Sequence, residues 1–154
     1  VTHQRRCQGD RGQVGGIEAL PFGLLIFVLG SLLIANAWAV VDAKFATDAA
    51  ARQAARTFVE GTDTEAALVA AEEAGRDAVA GHGRDPDRAI IQAVGSPELV
   101  RCERATFTAE YEVPALSLPL IGGYGRAPFR VRSTHSELVD PFRSGLPGQA
   151  EDCT

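Results

Sequence analysis

The sequence predicts an α+β chain: a long N-terminal helix that crosses a membrane and continues beyond it, a second short helix, then a small antiparallel sheet of about three strands. Three observations carry that expectation. Between Glu18 and Asp42 lie 23 residues without a charge. From Asp42 to Glu60 the chain is rich in Ala and free of Gly and Pro, which favours uninterrupted helix. Beyond Arg88, segments alternate apolar and polar residues with a period of two, the pattern of half-buried antiparallel strands.

The helix comes first. Ala19 to Val41 reads ALPFGLLIFVLGSLLIANAWAVV. At ~1.5 Å per residue this run spans roughly 34 Å, against a hydrocarbon core about 30 Å thick. Ser31 and Asn36 are its polar residues, and each can hydrogen-bond within the helix or to a neighbour. Pro21 stands near the start, where a missing N–H costs little. Trp38 stands near the far end, where an indole suits the interface. No break separates this run from the Ala-rich stretch, so one helix is expected from about Ile17 to Glu60, stopped by Gly61. On its water-side half Val41, Phe45, Arg52, Ala55 and Val59 fall on one side. That weakly amphipathic face is expected to cover the sheet or to pack against other copies.

A second helix is expected to start at Thr62 or Thr64. Thr62-Asp63-Thr64-Glu65 has the form of a capping box, with Thr capping and Glu65 reaching back. Leu68, Ala71, Gly75, Ala78 and Val79 make an apolar stripe at helical spacing, and Gly81 ends it. Gly81 to Asp87 reads as a loop, and Arg88 to Val94 as a short strand. Ala105 to Val113 alternates cleanly: Ala105, Phe107, Ala109, Tyr111 and Val113 share the inward face. Pro114 to Arg126 is a Gly/Pro-rich loop. Ala127 to His135 alternates again, with Phe129 and Val131 inward and Arg130 and Arg132 outward, opposite Glu110 and Glu112. Such cross-strand pairs contribute ~0.2–1 kcal/mol each and help to set the register. The tail from Asp140 is polar and is read as frayed. The expected organisation is a short cytoplasmic leader over residues 1–18 and a span over 19–41. A head follows over 42–139, including the helix extension, and then a flexible tail over 140–154.

Composition narrows the function. There are 15 basic and 20 acidic side chains, 6% aromatic residues and no basic cluster, which argues against a nucleic-acid binder. Three Cys are too few for a disulfide scaffold. Arg outnumbers Lys fourteen to one and Met is absent, a pattern that suits a GC-rich bacterial genome. Arg5, Arg6 and Arg11 precede the span, while Lys44, Arg52 and Arg56 follow it, so a positive-inside count is balanced. Residues 42–154 carry 12 basic and 18 acidic groups. We therefore place the short N-terminal tail inside and this acidic remainder outside. Outside the cell, Cys102 and Cys153 are expected to pair. Their bridge would tie the tail to the sheet and contribute ~3–4 kcal/mol. Cys7 precedes the apolar run and carries no assigned role.

Chemistry-bearing constellations are weak. Cys102, His135 and Asp140 supply the residue types of a nucleophile triad, but three such residues occur in most chains. His82, Asp85 and Asp87 match no metal-ligand spacing and read as a solvated turn. Gly122-Gly123-Tyr124-Gly125 lacks the strand-to-helix context of a phosphate loop. The chain is read as no enzyme, with no metal, cofactor or small-molecule substrate.

The informative constellation stands directly before the span: Arg11-Gly12-Gln13-Val14-Gly15-Gly16-Ile17-Glu18. A carboxylate at the edge of a membrane helix is expensive unless it meets a partner. A freed α-amino group on a neighbouring cleaved chain would be such a partner. A basic leader, an Arg-Gly, a Glu a few residues later, one membrane helix and a small α/β head resemble the TadE/TadG-like pseudopilins of the tight-adherence (Flp) pilus system, a type IV pilin-like group. The motif-bearing part covers residues 11–60, and the head matches in architecture. The resemblance implies a pilin-like fold and a non-enzymatic minor pseudopilin. It implies a prepilin peptidase cut after a Gly, with Glu fifth in the mature chain; a cut after Gly12 makes Gln13 the first residue and Glu18 the sixth, and one after Gly15 or Gly16 makes Glu18 the third or second. It also implies other pilin-like subunits and the pilus assembly machinery as partners. Glu18 would guide docking, and Gly23, Gly30 and Ala37, seven residues apart, would form a helix-packing face. The alternative is a cleaved secretory signal, with Arg5, Arg6 and Arg11 as its basic region and Ala35-Asn36-Ala37 or Ala37-Trp38-Ala39 as its cleavage site. That would leave a secreted or anchored small α/β binding domain.

Overall fold

The structure, a computed structural model, describes residues 15–114 and 129–149 together with Cys153. The order is α1 (Gly15–Glu60), α2 (Thr64–Gly81), a 3-10 turn (Pro86–Arg88), β1 (Ala89–Ala93), β2 (Arg104–Val113) and β3 (Phe129–Leu138). The fold is α+β, as the periodicities require. Two compact units divide the chain after Asn36.

The first unit contributes the apolar part of α1. Its large side chains face outward on every side: Leu20, Phe22, Leu24, Phe27, Leu33 and Ile34 are all well exposed. Asn36 Nδ2 donates to the Leu32 carbonyl at 2.9 Å, so this amide is satisfied within the helix. One apolar helix of this length is compatible with a single membrane span.

In the second unit α1 becomes the back of a core. Ala43, Ala46, Thr47, Ala50, Ala51, Ala54, Ala55 and Phe58 are buried. This corrects the face read from sequence: Val41, Phe45 and Arg52 are exposed, Val59 is half-buried, and Ala55 alone of the five is fully buried. The reason is steric. Alanine removes side-chain bulk, so the helix backbone can approach closely, and the larger apolar residues are left on the other side. Phe58 is the large anchor, its ring 5.5 Å from that of Phe107.

Helix α2 is capped by Asp63, whose Oδ1 accepts from the Ala66 N–H at 2.9 Å. The expected Thr62 cap is therefore displaced by one residue, to the carboxylate that reaches the free N–H. Ala67, Ala71, Gly75 and Val79 are its buried stripe. A Cβ at Gly75 would lie 3.0 Å from Ile91 Cγ2, so Gly lets α2 approach β1.

The sheet has order β1-β2-β3, both pairs antiparallel. Tyr111 lies opposite Ala89 on one side and Val131 on the other. Ala105, Phe107, Ala109, Tyr111 and Val113 are all buried, as their alternation predicts. Glu110 faces Arg132 and Glu112 faces Arg130 across the ladder. Both pairs form ion pairs, with Arg130 Nη2 2.8 Å from Glu112 Oε1. Two details differ from the sequence reading. Phe129 is 53% exposed because it stands at the last rung of the ladder, opposite Val113. β3 also continues to Leu138, so His135 lies inside the strand rather than at its end.

The tail differs too. Residues 140–149 pack against the rest of the second unit instead of fraying. Val139 and Leu146 are buried, and Arg143 donates to the carbonyls of Val59 and Glu60. Those are C-terminal carbonyls of α1, which have no partner within the helix, and this explains why a polar tail stays in place. The Arg101 N–H donates to the Pro147 carbonyl at 3.1 Å, and its guanidinium reaches the carbonyls of Arg143 and Gly148. Cys102 and Cys153 are joined by a disulfide. The Gly/Pro loop lies outside the described residues from 115 to 128.

Candidate interaction surface

The candidate site is a surface on α1, the helix that carries Glu18, Gly23, Gly30 and Ala37 of the residues expected to matter. Gly12 and Gln13 lie outside the described residues. Glu18 lies within the first turns of α1. A Cβ added at Gly23 or Gly30 would meet nothing within 4 Å, and Ala37 is exposed. These three small residues recur every seven positions, so they share one side of the helix. Their own chain makes no use of that side among the described residues. Ten large apolar side chains between Leu20 and Ile34 are exposed. Burying one such side chain contributes ~1.5–3 kcal/mol, so the drive to place this helix in lipid or against other helices is large.

Past Asn36 the same helix carries a polar framework that sequence reasoning missed. Arg84, from the loop after α2, is only 14% exposed at its side chain. Its Nη2 donates to Asp42 Oδ2 at 2.7 Å and to the Ala39 carbonyl at 2.8 Å, and its Nε donates to Asp42 Oδ2 at 2.9 Å. The guanidinium also sits 5.3 Å from the centre of the Tyr111 ring, a cation–π contact. One residue thus ties the loop, α1 and β2 together. The loop's Gly/Asp composition reads as solvated, and nothing in the local pattern marks one Arg as buried.

A second link joins α1 to β3. Lys44, the sole lysine, donates to Ser133 Oγ at 2.6 Å and to the Arg132 carbonyl at 2.8 Å. Thr47 and Ser133 share a buried hydroxyl hydrogen bond of 2.9 Å. Asp48 lies 3.3 Å from Lys44 Nζ. The hydrogen bond from Ser133, with help from Lys44, holds the Asp48 carboxyl below the ordinary range, against an opposing effect of partial burial.

The outer side of this stretch is open. Trp38, Val41 and Phe45 are 72%, 45% and 61% exposed. Asp42, Phe45, Ala49, Arg52, Arg56 and His82 line a shallow hollow there.

The chemistry-bearing residues do not assemble into a reactive centre among the described residues. Cys102 is consumed by the disulfide, and His135 Nε2 lies 3.1 Å from Glu137 Oε2. Asp85 caps the N–H of Asp87 and faces Arg88, while His82 caps the end of α2. No group of three His, Cys, Asp or Glu residues that could hold a metal is present among the described residues. What the arrangement can do is bury apolar helix surface and pair charges along it. Comparison with protein-family models, curated proteins and solved structures returns no match.

Proposed function

We propose that the chain is a TadE/TadG-like minor pseudopilin, a non-enzymatic structural component of a tight-adherence pilus or related secretion system. The observation that carries this reading is that the Leu20–Ile34 surface of α1 is exposed on every side, while the same helix continues into an α/β head. A helix built so is made to be covered by lipid first and by other helices afterwards. In this reading the N-terminus faces the cytoplasm and the head lies outside. The cytoplasmic membrane holds the subunit until assembly machinery moves it into or near a fibre. Prepilin peptidase cleaves the leader after Gly12, and Glu18 meets a positive group on a neighbouring subunit, since an unpaired carboxylate at the edge of a span is costly. Gly23, Gly30 and Ala37 let that neighbour approach closely.

The test is replacement of Glu18 by Gln, read by membrane fractionation and by surface-fibre yield. Insertion stays intact and fibre incorporation is lost. Unchanged piliation overturns the role of Glu18.

A further inference from the structure

We propose that the outer face of α1 beyond the apolar run, from Trp38 to Arg56, docks against the same face of a second copy of this chain, in parallel and offset by seven residues. The proposal rests on the assembly reading for the direction of the two helices and adds their register.

Trp38, Val41 and Phe45 follow the spacing i, i+3, i+7, so they share one side of the helix. All three are exposed, while the side formed by Ala43, Ala50, Ala54 and Phe58 is buried. The exposed side therefore stays available after the head has folded. Its relief is uneven. The hollow that runs along this side from Asp42 to Arg56, with His82 beside it, has Phe45 near its start, one heptad beyond Trp38. A copy offset by seven residues, about 10 Å along the axis, sets its Trp38 level with the neighbour's Phe45, at the near end of that hollow.

The charge order favours such an offset over pairing in register. Asp42 and Asp48 precede Arg52 and Arg56 on this face. Parallel copies in register would set each charge against its own kind, which is destabilising. At an offset of seven, Asp42 of one copy stands level with Ala49 of the other, between Asp48 and Arg52. Asp48 stands level with Ala55, beside Arg56. The contacts made within the chain leave room for this. Arg84 uses Oδ2 of Asp42, Lys44 uses Oδ1 of Asp48, and Glu60 uses Nε of Arg56. Arg52 makes no hydrogen bond or ion pair among the described residues, and its electrostatic neighbour is Asp48.

The experiment uses the full chain in membranes, with Cys7 replaced by Ser. One tagged copy carries Val41→Cys and a differently tagged copy carries Ala49→Cys; both positions leave Trp38, Phe45 and the four charges in place. Disulfide cross-linking is expected to favour the 41–49 link over the 41–41 and 49–49 links by roughly five-fold, the effect of two exposed ion pairs. Adding Arg52→Glu and Arg56→Glu should erase that preference while the thermal unfolding of the head is retained. Dominant 41–41 and 49–49 links would overturn the register and leave the assembly reading standing. No links in membranes that hold both copies would overturn the interface, and the Glu18→Gln result then judges the assembly reading separately. A 41–49 preference untouched by the charge reversals would overturn the electrostatic basis.

Discussion

Leu20 to Ile34 and Ala43 to Phe58 belong to one helix, yet they place their side chains by opposite rules. In the first stretch Leu, Ile, Phe and Val point outward all round. In the second the inward side is mostly alanine, and Phe45 is left 61% exposed. The difference teaches that apolar size alone does not mark what a helix buries. Against a sheet, the limiting quantity is how closely two backbones can approach, and alanine permits the closest approach short of glycine. Without a neighbour in its own chain, the first stretch keeps its large apolar side chains exposed, a surface compatible with a membrane span.

The largest effect that separates the two stretches comes from removing one aromatic ring in each. Phe58 is fully buried and contacts Phe107, so Phe58→Ala should destabilise the head by ~3–5 kcal/mol. Phe27 is 70% exposed, and Phe27→Ala should leave head stability within ~0.5 kcal/mol of the parent. Denaturant unfolding of detergent-solubilised protein, followed through the head, compares them. Equal losses would mean that the two stretches are not separate in energetic terms.

Glycines offer a smaller, sharper contrast. A Cβ at Gly61 would lie 2.4 Å from Ala67 Cβ, a collision that the turn from α1 to α2 must relieve by moving. Gly61→Ala should cost ~1–3 kcal/mol. Gly30→Ala meets open space, so it should leave head unfolding unchanged. Its effect should appear only in association between copies, because close helix approach in membranes depends on small residues. Cross-linking yield in membranes and thermal unfolding together read the two variants. A loss of head stability from Gly30→Ala would break the contrast.

How much of this was legible in the sequence follows from the range of the interactions involved. Long-period and period-two patterns are local, and they marked α1, α2 and the alternation of β2. The facing of Glu110 with Arg132 and Glu112 with Arg130 was readable because a hairpin converts sequence order into register. The inward face of α1 was misread because helix spacing gives sides but not which side meets the sheet, and six alanines carry little hydrophobic signal. Arg84 was invisible for another reason. Its partners Ala39 and Asp42 lie more than 40 residues away, and no local pattern encodes such a contact. The same holds for Arg143, which anchors a tail that composition alone reads as loose. At the candidate surface, the sequence pointed to the small residues and to Glu18. The hollow beside Phe45 needed coordinates, since it depends on His82 coming close to α1 from another element.

The smallest expected effect concerns pH, and it probes the polar side of the same comparison. Asp48 is stabilised as a carboxylate, first by Ser133 and then by Lys44, so its folded pKa lies below the ordinary 3.8. A lowered folded value means that the stabilisation is present above the unfolded pKa and is lost as pH falls through the folded one. The side chain is 41% exposed, so solvent screening keeps the contribution under about 1 kcal/mol. Asp48→Asn should therefore destabilise the head slightly at neutral pH and differ less from the parent near pH 3. Thermal unfolding of both proteins at the two pH values reads the change in their difference. A difference of the same size at both values would show that the carboxylate charge is not what joins α1 to β3 at this point. The link would then rest on Lys44, Thr47 and Ser133, which hold their hydrogen bonds without it.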